Sequence, residues 1–575
     1  MRSSKIVFLF LSLFVSVFII GTVFAQQPPA SQTSGGQLQQ QLQVEKKQRL
    51  EKKIEAPMTQ EAPSIKEEVP EQQKGPTVMV NTIQVEGVTL IPAETIESII
   101  APYKNRKLSL AGMQKIADMI TDEYRKKGYV TSRAYIPPQT MKNGILIIRV
   151  IEGRLGKIDI QGNKYFKSSV LEKKIDLQPA GYFDYSALQR SLVYINEHPD
   201  RTARAVLVPG KEPGTTDIMV EVKDRNPLHF GFEFDNYGSR YIDYYRYSLV
   251  GEHNNLTGND DKLYMKLQYA EGYRLKLQQI RYRYPVNRTL EVGGYYLRSS
   301  IKLGREFKDL GSRGKAYIYG LFINKVLKNT EDLDVRLNFG FDYKSAKNYL
   351  LDAETSKDDT RVFKTGIDVD YMDKWGRTIF TSELDVGVPH LMGGMPAKDD
   401  HASRAGAGGQ FTKGVFNMFR LQPMPWETTL LWKNSAQWSN NNLVASEQFQ
   451  IGGPISVRGY PPAEHYGDTG YYTSFEWSAP LYFLNKGTTV PYTKGEVRWY
   501  DALRFVVFFD WATAQLNSPS GSEQKKETLR GWGYGMRLNI RDNLTCRIEA
   551  GYPLGGQDPS DGKHVHPWVE FTAKF

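Results

Sequence analysis

From about Asn226 to Phe575 the chain is written in period two, and nothing else in it constrains the fold as strongly. Leu333, Val335, Leu337, Phe339, Phe341 and Tyr343 alternate with Asp334, Arg336, Asn338, Gly340 and Asp342, giving an extended segment one apolar and one polar face. Trp532, Tyr534, Met536, Leu538 and Ile540 alternate in the same way with Gly531, Gly533, Gly535, Arg537 and Asn539. So do Leu544, Cys546, Ile548, Ala550 and Tyr552 with Thr545, Arg547, Glu549 and Gly551. A soluble sandwich produces a similar alternation. Segments of about ten residues that carry charge on the polar side and recur to the end of the chain instead match a transmembrane antiparallel β-barrel, lipid outside and water inside. Candidate strands start near Leu228, Tyr244, Leu263, Leu275, Leu290, Lys315, Leu333, Arg361, Arg377, Gly408, Thr428, Tyr471, Leu503, Leu529, Asn543 and His566, about sixteen in all. An even number is required if both ends of the barrel lie on one side of the membrane. In the last segment Val569, Phe571, Ala573 and Phe575 share one face, and this strand is expected to pair with the first, because hydrocarbon cannot satisfy an open edge.

Composition removes the main competitors. Mean hydropathy is −0.48, and the one long, mostly apolar run, Ile6 to Ile20, sits at the N-terminus, which excludes a polytopic helical membrane protein. The single cysteine, Cys546, excludes an internal disulfide framework and a CxxC site. A net charge of +10 admits nucleic acid, anionic lipid or an acidic polypeptide. The clusters Glu45-Lys46-Lys47 and Glu51-Lys52-Lys53 are mixed in sign and lack interleaved aromatics, so they read as solvated faces and no nucleic-acid partner is expected. There is no GxSxG, GxxxxGK[ST] or HExxH motif, and His564-Val565-His566 has no third ligand nearby. No enzyme, metal or cofactor is expected.

Residues 1–25 read as a secretory signal peptide: Arg2 and Lys5, an apolar stretch, then Val23-Phe24-Ala25. Residues 26–77 are too polar to fold alone. Within them Gly36 to Glu55 places Leu38 and Leu42, then Leu50 and Ile54, at helical spacing. On the residues alone this remains a solvated tail unless a docking site elsewhere receives it. Prolines at 57, 63, 70 and 76 mark the following stretch as a linker.

Residues 78–153 and 154–225 read as two small α/β modules. The first runs strand (Met79 to Val85), helix (Ala93 to Ile100), helix (Leu110 to Lys127) and two strands (Val130 to Ile136, Ile145 to Ile151). The second repeats that order: Leu155 to Ile160, Ser168 to Ile175, Tyr185 to Glu197, Arg204 to Val208, Asp217 to Val222. Such a sheet, covered on one face, leaves an edge that is a template for an incoming extended chain.

The most specific local signal is Phe449-Gln-Ile-Gly-Gly-Pro-Ile-Ser-Val457-Arg458-Gly459-Tyr460, in a long connection from roughly Ser439 to Gly470. Glycines on both sides of Arg458 allow a tight hairpin that pushes its guanidinium outward, where it wants a planar carboxylate. Asp510, on the lumen face with Phe508 in Phe505-Val-Val-Phe508-Phe-Asp510, is the first candidate. Glu476, lumen-facing in Phe475-Glu476-Trp477, is the second. Spacing alone also permits no contact at all.

These residues carry a resemblance. Val457-Arg458-Gly459-Tyr460 and Phe508-Phe509-Asp510 resemble the paired motifs of the outer-membrane assembly and secretion barrels, the superfamily that includes BamA. Gly128-Tyr-Val-Thr-Ser-Arg-Ala-Tyr-Ile-Pro-Pro-Gln139 with Ile151-Glu152-Gly153 is similar to the first periplasmic module of the two-partner secretion transporters (TpsB). Asn196-Glu-His-Pro-Asp-Arg201 and Pro209-Gly-Lys-Glu-Pro-Gly-Thr-Thr-Asp217 resemble their second. The resemblance spans nearly everything after Val78. It implies two POTRA modules in the periplasm and a sixteen-stranded outer-membrane barrel whose sixth loop folds into the lumen. It further implies that Arg458 pairs with Asp510 and that 36–55 plugs the pore. The implied function is export of an unfolded partner exoprotein (TpsA-like), bound by the POTRA modules, through a monomer embedded in outer-membrane lipid. An outer-membrane insertase is the alternative, although insertases of this kind carry more POTRA modules; a passive porin would carry none.

Overall fold

The computed structural model describes residues 32–55 and 77–575, except 142, 178–180, 213, 331, 492, 494–495, 522 and 542. The signal peptide and the linker read from the sequence lie outside the described residues. Helix α1 (Ser34–Glu55) comes first. In the first module β1 (Thr77–Val80) leads into β2 (Thr82–Glu86), followed by α2 (Ala93–Ile100), β3 (Arg106–Ser109), α3 (Leu110–Lys126), β4 (Arg133–Tyr135) and β5 (Ile145–Ile151). The sheet runs β2-β5-β4, β2 parallel and β4 antiparallel to the centre, and β1 pairs separately with β3. Ser109 caps α3, its Oγ accepting from Gly112 N at 3.1 Å. Ile116, Ile120 and Tyr124 on the inner face of α3 pack on Leu146 and Ile148.

The second module repeats the plan with β6 (Arg154–Gln161), α4 (Ser168–Glu172), α5 (Tyr185–Asn196), β7 (Arg201–Pro209) and β8 (Thr215–Asp224), in the order β6-β8-β7. Asp184 caps α5 through Ser186 N and Ala187 N. The modules are tied by Phe183 N to Gly153 O and Tyr185 N to Gly128 O, so the glycines of the two sequence motifs lie at the joint. Glu152 braces the same place, accepting from Tyr124 Oη at 2.6 Å and from the amides of Thr89 and Leu90. Burial works to raise its pKa, but these hydrogen bonds win and hold it below the usual carboxylate value.

Sixteen antiparallel strands then close a barrel. They are β9 (Leu228–Asp235), β10 (Arg246–His253), β11 (Lys262–Ala270), β12 (Leu275–Pro285), β13 (Leu290–Lys302), β14 (Arg313–Asn329), β15 (Leu333–Leu350) and β16 (Ala353–Asp373). The second half is β17 (Gly376–Gly387), β18 (Phe411–Met424), β19 (Thr428–Ser439), β22 (Thr469–Pro480), β23 (Leu503–Gln515), β24 (Lys526–Ile540), β25 (Leu544–Pro553) and β26 (His566–Lys574). The hairpin β20 (Phe449–Ile451) with β21 (His465–Gly467) lies inside the connection from β19 to β22. The seam pairs β26 with β9, from Glu570 with Asp235 to Lys574 with Gly231. Outward positions such as Phe363, Phe509, Trp532 and Tyr534 are exposed, whereas Val506, Phe508 and Asp510 are buried inside. The apolar face therefore points to lipid and the polar face into a filled lumen.

Two expectations are corrected. The eighth strand starts at Ala353, not near Arg361, because β14 to β16 extend 17, 18 and 21 residues, past the length a membrane needs. The added residues Glu354 to Thr360 are polar at every position and carry no period-two signal. The second correction is α1. Its charged clusters are not solvated faces, since Lys47 and Glu51 are buried in the lumen, Lys47 bonded to Ile455 of the loop tip and Glu51 to Lys433 of the wall.

Candidate functional site

The lumen is occupied by α1 and by the tip of the β19–β22 connection. At 1.5 Å per residue the 22-residue helix is about 33 Å long, enough to run the height of a bilayer core. Its N-terminal end is tied to β15, where Ser34 N donates to Asn348 Oδ1 at 2.8 Å. Its C-terminal end is tied to β16, with Lys53 Nζ 2.9 Å from Asp370. Leu38 packs on Leu297 and Ile318, and Leu50 and Ile54 pack on Ile379, Phe419 and Leu431. Each such side chain contributes roughly 1.5–3 kcal/mol on burial. The i, i+4 leucines that look unsupported in sequence thus find apolar lumen positions at both ends of the helix.

The loop tip is positioned by backbone. Gly452 and Gly453 adopt φ of 98° and 90°, turning the chain so that Gly453 N donates to Val457 O and Tyr460 O. Gly459 serves a different purpose from the hairpin expected for it: a Cβ there would lie 2.5 Å from the backbone of Tyr552 and Pro553. Gly551, across from it, would place a Cβ 2.2 Å from Arg458 O. The tip therefore presses on β25 where only glycine fits. Val457 and Tyr460 pack with Phe449, Ile451, Tyr472 and Leu529. Trp568 Nε1 donates to Arg458 O at 2.8 Å, and Tyr460 Oη donates to Gln557 O at 3.0 Å.

Arg458 is almost fully buried and meets both candidate carboxylates. Its Nε and Nη2 donate to Asp510 Oδ2 and Oδ1 at 2.8 and 2.7 Å, the planar two-point pairing that a guanidinium favours. Its backbone N also donates to Asp510 Oδ2, at 3.1 Å. Nη1 lies 2.7 Å from Glu476 Oε1 and donates to Glu549 Oε2 at 3.0 Å; Nη2 also donates to Ser474 Oγ. Phe508 lies beneath, with the guanidinium carbon 3.3 Å from the ring centroid. The three positions of Phe508, Asp510 and Glu476 thus converge on one arginine.

Glu549, Ser474 and the cations that balance the cluster were not singled out in the sequence. Lys433 Nζ is 2.5 Å from Glu476 and 2.8 Å from Glu51 of α1. Arg537 pairs with Glu476 and Glu549, and Arg547 with Glu51. All but Glu51 sit on lumen parity in their strands, so the alternation marks their face. Nothing in a single strand gives the register that stacks β22, β23, β24 and β25 side by side.

A second cluster fixes module two to the barrel. The Asn196 to Arg201 motif lies on the β10–β11 turn, where Arg201 and Lys174 converge on Asp260. Arg201 Nη2 donates to Asp260 Oδ2 at 2.7 Å, and Lys174 Nζ lies 2.7 Å from the same oxygen. Asp200 is held by Arg225, His229 and Asn254, at 2.9, 2.7 and 2.7 Å. Glu197 reaches the β14–β15 turn through Asn329 and Arg336. Burial, with the nearby cations Lys262 and Arg201, pushes the His198 imidazole down to about 3. Burial opposes ionisation of Asp260, but Arg201 and Lys174 outweigh it and hold the carboxyl below its usual value.

Both shifts act in the same direction. The neutral folded form of His198 stabilises the joint fully above the unfolded pKa of 6.5, and that contribution is lost as pH falls toward about 3. Asp260 contributes above its ordinary value of 3.8 and is lost on further acidification. Protection of the 196–201 amides from hydrogen exchange, corrected for intrinsic rates, is therefore expected to fall between pH 7 and pH 5 by up to about 1.4 kcal/mol per pH unit below 6.5. Unchanged protection would show that His198 is not buried as described.

Among curated proteins the chain is similar to the outer membrane transporter CdiB of Escherichia coli, 26% identical over 494 residues, covering 84% of this chain and 80% of that one. It is also similar to the heme/hemopexin transporter protein HuxB of Haemophilus influenzae, 21% identical over 510 residues, with 84% and 85% covered. Among solved structures, CdiB from Escherichia coli superposes with a TM-score of 0.71 at 23% identity, covering 96% of this chain and 99% of that one. BamA from Haemophilus ducreyi lacking POTRA domains 1–3 superposes at 0.52 and 13% identity, over 87% of this chain and all of that one. Residues 78–153 match the POTRA domain of ShlB type. Residues 214–538, more than half of the chain, match the haemolysin secretion/activation protein ShlB/FhaC/HecB description, and the chain belongs to that family.

Proposed function

We propose that the protein is the outer-membrane pore of a two-partner secretion system. Its two modules stand in the periplasm and take up an unfolded partner exoprotein, which passes through the barrel to the cell surface or medium. The observation that carries this reading is a closed barrel whose lumen holds a helix of its own chain, in a family of transporters. A helix held by side-chain contacts can leave without unfolding the wall, whereas a passive pore has no need of one. The exposed edge β7 in module two supports uptake by strand addition, where backbone hydrogen bonds supply affinity with little sequence demand. The Arg458–Asp510 pair would hold the loop tip against the wall during transit. No nucleotide is needed, because folding outside biases the movement.

The test is a comparison of outer-membrane, surface and medium proteins between strains with and without the gene. Loss of one large secreted or surface protein, other barrels unchanged, is expected. The BamA-like fold favours the insertase as second reading, and a general fall in barrel proteins would establish it instead. The plug role has its own expected result: deleting residues 34–55 should raise single-channel conductance in planar bilayers, and an unchanged small conductance would remove it.

A further inference from the structure

Glu51 is the one acid of α1 that reaches the Arg458 cluster by ion pairs, and it does so between two cations of the wall. Its Oε1 accepts from Lys433 Nζ at 2.8 Å and its Oε2 from Arg547 Nη2 at 2.8 Å, so the carboxylate is gripped from both sides. The two cations are not equally provided for without it. Lys433 keeps Glu476 at 2.5 Å, whereas Arg547 is left with Glu549 at 3.8 Å, an acid already engaged by Arg458 and Arg537. Glu570, beside Arg547 in the register, keeps only its bond from Tyr237 when Gln48 departs with α1. When α1 leaves, the two cations lose the carboxylate they share and face the opened lumen.

We propose that Lys433 and Arg547 form a carboxylate-binding site in the lumen wall, closed by Glu51 in the resting molecule. Once the helix is out, the site takes acidic side chains of the polypeptide in transit. The inference rests on the plug reading above and adds to it the ligand chemistry. An acidic residue that reaches this fork replaces what Glu51 supplied, so the incoming acid and the docked helix compete for the same two cations. Because Lys433 also holds Glu476, which faces Arg458, the exchange happens beside the loop tip.

The test uses the protein lacking residues 34–55, beside the full chain, in planar bilayers, with hexaglutamate and hexaglutamine as probes. Hexaglutamate is expected to block the open current and hexaglutamine to leave it. Arg547→Gln and Lys433→Gln should each weaken the block by about tenfold or more, as for loss of a charge-assisted hydrogen bond. Lys266→Gln, a wall cation paired instead with Glu233, should leave the block unchanged. Equal block by both peptides, or block that survives Arg547→Gln, overturns the site. Should the wall variants fail to assemble, Glu51→Gln in the full chain reads the same contact: open time should rise about tenfold, and no rise overturns the proposal. If deletion of 34–55 opens nothing, it is the plug reading itself that fails.

Discussion

Asp510→Ala should abolish or sharply reduce secretion of the partner while the barrel still assembles, and Arg458→Ala should do the same. Asp510 supplies both oxygens of the two-point pairing and also accepts the Arg458 amide, so its loss strips three hydrogen bonds from the loop tip. Removing one partner of a buried pair costs about 3–5 kcal/mol. That shifts the docked loop population by more than about a hundredfold. Arg458→Ala leaves Asp510, Glu476 and Glu549 facing one another without their common cation, which is at least as costly. The barrel itself is closed by backbone ladders that neither side chain makes, so heat-modifiable migration on gels should persist. Arg458→Lys keeps the charge but not the fork and should recover only part of the activity. The readout is the amount of the partner in the medium or on the surface. Full secretion by both alanine variants would remove the role assigned to the pair.

Asp260→Ala should loosen module two on the barrel. Arg201 is about 1% exposed in its side chain and Lys174 about 9%, and both are neutralised by this one carboxylate. Its removal leaves two buried cations sharing no anion, a loss of about 3–5 kcal/mol for the joint. Asp200 with Asn254 and Glu197 with Arg336 remain, so the module stays tethered but moves. Spin labels on module two and on the β10–β11 turn should report a broadened distance distribution and secretion should fall. A distribution as narrow as in the parent protein would show that the remaining contacts suffice.

Much of the architecture is legible in single segments. Period-two alternation marks the lipid and lumen faces of strands such as β15, β23 and β24, because adjacent side chains on a strand must point to opposite faces. Val457 to Tyr460 can be read as a loop whose arginine has Asp510 and Glu476 as candidate partners, while spacing leaves open whether it meets either. Glu354 to Thr360 escapes detection because its buried face is itself polar, made by Ser356, Asp358 and Thr360, so no apolar alternation marks it. The charged clusters of α1 mislead for a related reason: polar residues mark contact with water or with charge, and sequence does not distinguish an aqueous face from a charged lumen.

What the sequence by itself determined is therefore local: the strand faces, the sixteen crossings, the two modules, and the arginine and carboxylates that share a lumen. What only the tertiary structure decided is which of them meet. Arg458 touches Asp510, Glu476 and Glu549 together because the register of β22 to β25 brings their lumen positions within reach of one side chain, and Gly459 and Gly551 let the loop come close enough. Glu51 joins them because α1 has a filled pore to lie in. Register and docking arise from closing a barrel over a long chain, and that long-range geometry is written in no single segment.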